Sequence, residues 1–374
     1  MVDAIKFGAS ISTSGRYALQ GRQALAGLRA WAAATHAEGG AKLPGWERAA
    51  PVEIIHYDDR GAAAQAVANV EKLIRDDNVH ILLGPYSSDL TGAVVPVARK
   101  YGKLLWNHGG AVDAIHRRGC RAVGILTPTS RYLTGLIDLA RSIDPNAKRV
   151  AVLYRRGSGF GSLAARGARR VAREARFTVA TVSYSSARDD LPNLVAKLRR
   201  FEVDLILSAS SFQDDCALAR GLITAGVTAK AFGFVAAAMR EFGRALGPGA
   251  EGFLGPSQWE PGLRPRVDFG PSPSAVAKSI RTMGAAPDYP AAQAYAACLI
   301  ALRCLEGAGS AKDEALWQAA CSLDCTTFFG RFKMDPLTGL QVVHEMVWVQ
   351  WQHGRKAVVW PPTLAKAKSV YPAG

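Results

Sequence analysis

The sequence predicts an α/β protein of two doubly wound, parallel-sheet lobes, and three observations carry that prediction. The chain has 374 residues, more than one small core accommodates. Short apolar runs that end in Gly, Ser, Asn or Asp alternate with stretches of helical spacing, in two successive series. Gly255–Pro273, rich in Gly and Pro, breaks the alternation as a crossing or surface loop.

The first series opens at Ala4–Ile11, where Ile5, Phe7, Ala9 and Ile11 alternate with smaller or polar residues as in a strand. A polar turn, Ser12 to Tyr17, leads to a helix with Ala24, Leu28 and Trp31 on one face. Val52–Tyr57 is the second strand, closing in Asp58-Asp59, and Ala66, Val70 and Leu73 mark the next helix. The pivotal stretch is Val79–Asp89: an apolar run halts at Gly84-Pro85, and Ser87 or Ser88 stands where an N-cap belongs. Leu90, Val94, Val97 and Tyr101 then recur at helical spacing. The first amides of such a helix have no internal partner, so a carboxylate or other anion is favoured there. Lys103–Trp106 is a fourth strand, ending in Asn107-His108-Gly109-Gly110-Ala111.

The second series has strands at Ala122–Leu126, Arg149–Tyr154, Phe177–Tyr184, Val203–Ser208 and Ala231–Val235. Helices near Tyr132–Ser142, Gly161–Ala175, Leu191–Phe201, Asp214–Ala225 and Ala237–Leu246 alternate with them. Beyond the Gly/Pro-rich loop, three helices are expected around Ser274–Met283, Ala291–Leu305 and Asp313–Ser322. Phe328–Met334, His344–Trp351 and Ala357–Trp360 read as late strands, with a turn at Pro336–Gly339.

Forty-six Lys and Arg against 31 Asp and Glu give a formal charge of +15, which favours anionic partners. The basic residues lack aromatic interleaving, and no recognition helix is evident, so nucleic acid is not expected. No apolar run approaches the ~18 residues needed to span a bilayer. The N-terminus carries no export signal; read literally that means cytoplasm, but a mature exported domain begun with methionine has the same appearance. None of the six cysteines forms C-x-x-C, which argues against zinc; disulfides and buried free thiols are both compatible with their spacing.

Chemistry is sparse. Gly159-Phe160-Gly161-Ser162-Leu163-Ala164 matches G-x-G-x-x-A, but the following strand ends without the acid that would hold a ribose. His108-Gly109-Gly110-Ala111 has the form of an oxyanion loop, yet no G-x-S-x-G elbow exists to supply a nucleophile. Asp58 and Asp59 are neighbours on a strand end and point to opposite faces, which makes them loop anchors rather than an acid–base pair. The histidines lack metal-binding spacing. What remains is a binding geometry at the carboxyl ends of the strands, where open parallel sheets hold their ligands. Those ends offer Tyr17, Tyr86, Ser87, Ser88, His108, Gly109, Gly110 and Ala111 from the first series. Tyr132, Phe160, Ser211, Phe212 and Val235 come from the second.

Ile5–Gly15, Tyr57-Asp58-Asp59, Gly84–Ser88 and Asn107–Ala111, with Phe160-Gly161, Ala225-Gly226 and Trp348–Pro362, resemble type I periplasmic solute-binding proteins over essentially the whole length. The nearest class is the leucine/isoleucine/valine-binding proteins of ABC importers. The resemblance implies a clamp joined by a three-strand hinge, with residues 1–122 and 258–330 in one lobe and 123–257 and 331–374 in the other. It implies a periplasmic, monomeric, non-enzymatic protein that needs no cofactor. Its partners would be a small-molecule ligand and a membrane ABC permease. Ser88, Gly109 and Ala111 would hold a ligand's carboxylate and amine, and Phe160 would lie over the ligand. Three departures stand out: Ala111 replaces a threonine, Phe160 a tyrosine, and Val235 falls where an acid would meet an ammonium. A small organic acid, an amide or an unusual amino acid is therefore expected rather than leucine. Tyr17, Tyr86, Trp106, His108 and Tyr132 would suit a flat or aromatic ligand. A cytoplasmic ligand sensor on the same fold and a nucleotide-dependent enzyme are the alternatives.

Overall fold

The computed structural model describes residues 4–44 and 48–372 and divides into two compact units. Residues 1–128 and 258–345 form the first, residues 129–257 and 346–374 the second, so the chain passes between them three times.

The first unit begins β1 (Ile5–Ile11), α1 (Ala18–Ala37), β2 (Val52–Asp58), α2 (Ala63–Arg75), β3 (Ile81–Leu83), α3 (Ser88–Lys100), β4 (Leu105–Asn107) and β5 (Ala122–Gly124). These five strands make one parallel sheet in the order β2-β1-β3-β4-β5. The apolar alternation of β1 leaves Phe7, Ala9 and Ile11 without accessible surface, and Trp31 of α1 closes on Phe7 at 4.5 Å between ring centres. Each such aromatic stabilises the core by roughly 1.5–3 kcal/mol through area withdrawn from water.

The second unit follows with α4 (Thr134–Ile143), β6 (Arg149–Arg155), α5 (Gly159–Glu174), β7 (Thr178–Tyr184), α6 (Leu191–Phe201), β8 (Leu205–Ala209), α7 (Phe212–Thr224), β9 (Ala231–Phe234), α8 (Arg240–Leu246) and β10 (Leu254–Ser257). The chain then returns to the first unit for α9 (Pro273–Thr282), α10 (Tyr289–Ala308), α11 (Asp313–Ser322), β11 (Cys325–Thr327) and β12 (Gly330–Phe332). It ends in the second with β13 (Val347–Gln352) and β14 (Arg355–Trp360). The second sheet has the order β14-β13-β10-β9-β8-β6-β7, parallel from β10 through β7, with β13 and β14 added antiparallel.

Three local expectations are corrected. The strand at Ala122 belongs to the first sheet, because it pairs with β4 and its Gly124 amide donates to Gly339 O at 2.8 Å. That contact also holds the turn around Gly339 on β5, so residues 123–128 and 331–345 fall in the first unit rather than the second. Leu254–Ser257 is a strand despite its Gly and Pro: a Cβ on Gly255 would stand 2.2 Å from Ala238 N, so glycine is what lets β10 lie against the neighbouring turn. Phe328–Met334 is not one strand but the hairpin of β11 and β12. Phe328 packs on Trp259 and Tyr295 while Phe329 stacks on His344, and both rings point inward, which a continuous strand would forbid.

All six cysteines are free thiols, five of them buried. No helix among the described residues is long and apolar enough to cross a membrane.

Candidate functional site

In the first unit the expected residues gather where β3 and β4 end. Asn107, the last residue of β4, organises the loop that follows. Its Oδ1 accepts the amides of Gly109 (3.2 Å) and Gly110 (2.8 Å), and its Nδ2 donates to Gly110 O at 2.7 Å. A side-chain carbonyl that imitates backbone by accepting the amide two residues on is the usual device of an Asx turn. The two glycines allow close approach: a Cβ on Gly109 would stand 2.1 Å from Pro85 O, and one on Gly110 2.7 Å from Thr91. The 107–111 loop is thereby pressed against the start of α3.

There the two serines divide the work. Ser87 is the N-cap: its Oγ accepts the Leu90 amide, and its backbone holds φ 100°, a conformation L-residues rarely adopt. Ser88 Oγ accepts two amides, from Ala111 (3.1 Å) and Val112 (3.2 Å). With its lone pairs so engaged, the Ser88 hydroxyl proton has no acceptor among the described residues, and neither do the Ser88 and Asp89 amides. Three donors thus stand together at the positive end of a 13-residue helix. The Ala111 amide, expected from the family resemblance to meet a ligand, is meanwhile taken by Ser88.

Aromatic residues flank this end. Tyr17 meets Tyr86 edge-on at 6.4 Å and donates to Asp89 Oδ2 at 3.1 Å. Burial raises both phenols, Tyr86 to about 12 with Tyr289 as its hydrogen-bond partner, so they stay protonated donors at neutral pH. Trp106 and His108 have no accessible surface. Trp106 is thus a core side chain, and burial lowers the His108 imidazole to about 4, leaving it neutral at pH 7.

In the second unit the corresponding residues also collect at strand ends. Tyr132 meets Phe160 edge-to-face at 5.2 Å, Tyr132 nearly buried and Phe160 half-buried in the first turn of α5. The glycine pattern there serves packing, since a Cβ on Gly161 would stand 2.5 Å from Ala209 O. Ser211 caps α7, accepting the Asp214 amide and donating to Asp214 Oδ2 at 2.7 Å. Phe212 is half-buried against the apolar cluster of that unit, and Val235 is 8% exposed in the short 3-10 turn after β9.

Asp215, which the sequence reading overlooked, ties these segments together. Fully enclosed, it accepts from Ser208 Oγ (2.6 Å) in β8 and from the Ala236 amide (3.0 Å) beside Val235. Loss of water is the main reason its carboxyl is pushed up to about 7. A second buried link runs from the Tyr184 hydroxyl to Ser210 Oγ at 2.6 Å, which also accepts the Arg155 amide. Asp58 and Asp59 anchor loops: Asp58 takes the amides of Thr13, Ser14 and Arg60, while Asp59 takes Ser10, Ser12 and the Gly61 amide.

Two parallel α/β units, each bringing hydroxyls, amides and aromatic rings to the carboxyl ends of its strands, have the layout of a pre-formed ligand-binding protein. The family model described as periplasmic binding protein matches residues 4–356, and the chain belongs to that family. Among curated relatives, Leu/Ile/Val-binding protein homolog 8 of Brucella abortus (strain 2308) is 26% identical over 223 residues, 57% of this chain and 53% of its own length. Homolog 7 of the same strain is 28% identical, covering 57% and 54%. The chain thus spans about half the length of these relatives. Among solved structures, a leucine-binding protein, LivK, from Thermotoga maritima MSB8 superimposes with TM-score 0.81 at 17% identity, covering 95% of this chain and 97% of that one. A solute-binding protein of an ABC transporter from R. palustris in complex with 4-hydroxybenzoate gives TM-score 0.78 at 19% identity, covering 100% and 98%. Likenesses this distant establish the fold, which is that of the type I periplasmic binding proteins.

Proposed function

We propose that the protein is the solute-binding component of an ABC importer, acting in the periplasm as a monomer, without catalysis, beside a membrane permease. Its ligand is a small carboxylate-bearing or amide solute, amino-acid-like or an aromatic or aliphatic acid. The observation that carries this reading is the start of α3, where one serine hydroxyl and two amides are donors with no acceptor among the described residues. A carboxylate supplies two oxygens and a charge to such a site. Val235 offers no charge, and Asp215 is enclosed and already accepting two hydrogen bonds, so neither would compensate an α-ammonium. Tyr17 and Tyr86 beside that end of α3 favour a flat acid such as the 4-hydroxybenzoate bound by the R. palustris protein.

Isothermal titration of the purified protein against leucine, aliphatic acids, benzoate and 4-hydroxybenzoate tests the reading. Stoichiometric binding of a carboxylate without an amine is expected. Ser88→Ala should weaken it about 10- to 100-fold, the loss of one charge-assisted hydrogen bond of ~1.5–3 kcal/mol. Tight binding of leucine would overturn the ligand class. Silence toward every carboxylate would overturn the site.

A further inference from the structure

The positive charge of this protein belongs to one of its units. Residues 129–257 and 346–374 hold 23 Lys and Arg against 11 Asp and Glu, a net +12; the other unit holds 23 against 20, a net +3. Helix α5 holds four arginines against one acid. Arg166, Arg169, Arg170 and Arg173 recur at intervals of three and four, which places them on one face, and all four are exposed. The opposite face is Gly161, Ala164, Ala165, Gly167, Ala168 and Ala172, small and buried, so the helix is seated flush with its arginines in solvent and Glu174 beside the last of them. Arg170 pairs with Glu174 at 2.9 Å; Arg166, Arg169 and Arg173 have no acidic partner among the described residues. Arg176, exposed, extends the row towards β7, the edge strand of the sheet.

Favourable interaction with the helix dipole accounts for Arg173 in the last turn and not for Arg166 two turns earlier. Like charges at these spacings repel and lower helix stability, so the row is unfavourable in the isolated protein. It becomes favourable against a surface that carries many phosphates, since each guanidinium can fork two hydrogen bonds to phosphate oxygens. The face is convex and spans about 10 Å along the axis, which suits an extended anionic plane rather than a single small ion. It also lacks the exposed aromatic platforms on which nucleic-acid bases stack.

We propose that the arginine face of α5 docks this protein on an anionic phospholipid bilayer, by electrostatics and without insertion. Basic clusters of this size on an amphipathic helix bind acidic lipid headgroups in proportion to their charge. The inference does not rest on the nature of the solute.

Flotation of the purified full chain with vesicles tests it, using phosphatidylcholine alone and an equal mixture with phosphatidylglycerol. Binding is expected only to the anionic vesicles, and it should vanish in high salt. The triple variant Arg166→Gln, Arg169→Gln, Arg173→Gln should lose about a hundredfold in partitioning, roughly 5-fold per arginine. Its unfolding midpoint should equal or exceed that of the parent, because repulsion is relieved. A control triple variant in the other unit, Arg99→Gln, Arg118→Gln, Arg281→Gln, removes the same charge and should bind almost as the parent does. No binding to anionic vesicles at low salt would overturn the proposal. Equal losses in the two triple variants would overturn it too, since net charge rather than α5 would then be responsible.

Discussion

Each unit carries an Asp-Asp pair in which a carboxylate fastens a loop at the strand ends, Asp58-Asp59 in the first and Asp214-Asp215 in the second. Asp58 is drawn upward by partial burial, yet the Ser14 hydroxyl and the amides of Arg60, Thr13 and Ser14 outweigh that and hold it well below the usual carboxylate range. Asp215 is fully enclosed and has only the Ser208 hydroxyl and the Ala236 amide, with the Asp214 charge beside it, and it rises to about 7. The sign follows the balance of the two effects: four donors outweigh partial burial at Asp58, and complete burial outweighs two donors at Asp215.

The comparison of the units is most severely tested through packing, because in each a loop at the strand ends rests on a helix glycine. A Cβ on Gly21 of α1 would stand 2.0 Å from Ser12 O, and one on Gly167 of α5 1.9 Å from Ser130 O. Neither carbonyl belongs to a side chain that could swing aside. Gly21→Ala and Gly167→Ala should each destabilise by about 3 kcal/mol or more, read from urea denaturation. A variant at either position that unfolds like the parent would mean that the loop beside it yields, and the two units would no longer be equivalent in rigidity.

The carboxylates come next in size. For Asp215 the folded pKa, about 7, lies above that of an unfolded aspartate. Its contribution is therefore complete below about pH 4 and is lost as pH rises through 7. For Asp58 the folded value is depressed, so its contribution is present above about pH 4 and disappears on acidification. The Asp215 contribution to the parent should accordingly fall by on the order of 2–4 kcal/mol from pH 5 to pH 8, a slope that buried His108 and His116, both lowered to about 4, oppose below about pH 6.5. Asp215→Asn should flatten that slope, and Asp58→Asn should leave it intact while lowering stability at pH 7. If Asp215→Asn kept the parent's slope in denaturation at pH 5, 6, 7 and 8, the carboxyl would not be titrating in this range.

The sequence disclosed what depends on local pattern. Strand and helix order followed from apolar spacing, and a cap at Ser87 or Ser88 from the serines before Leu90, of which the structure selects Ser87. It concealed what depends on distant partners. Asp215 has no signal of its own, since its hydrogen bonds come from β8 and from the turn after β9, seven and 21 residues away. Tyr289, the partner of Tyr86, lies at the start of α10, some 200 residues along the chain. Asn107 was legible: Asn at a strand end, two residues before Gly-Gly, is a turn signature, and its role as organiser of the 107–111 loop could have been read from it. Gly255 misled for the opposite reason, because a glycine demanded by close backbone approach looks the same in sequence as one that loosens a loop.

The smallest expected effect separates the two units most finely, because it compares one residue type in one role. Ser87 and Ser211 are both N-caps whose hydroxyls accept the amide three residues on. Ser211 has φ −66°, ordinary for a cap, whereas Ser87 has φ 100°, where a Cβ is strained. Replacing a capping serine by glycine costs only a few tenths of a kcal/mol, while relief of such strain returns about 1 kcal/mol or more. Ser87→Gly should therefore stabilise the protein by about 0.5–1 kcal/mol, and Ser211→Gly should destabilise it by a few tenths. Urea denaturation at fixed pH reads both. Opposite signs would show that the first unit stores strain one residue before Ser88, where the unclaimed donors lie, and that the second does not. Equal signs would mean that Ser87 is held by its neighbours as comfortably as any other cap, and that the donors at Ser88 are presented without strain.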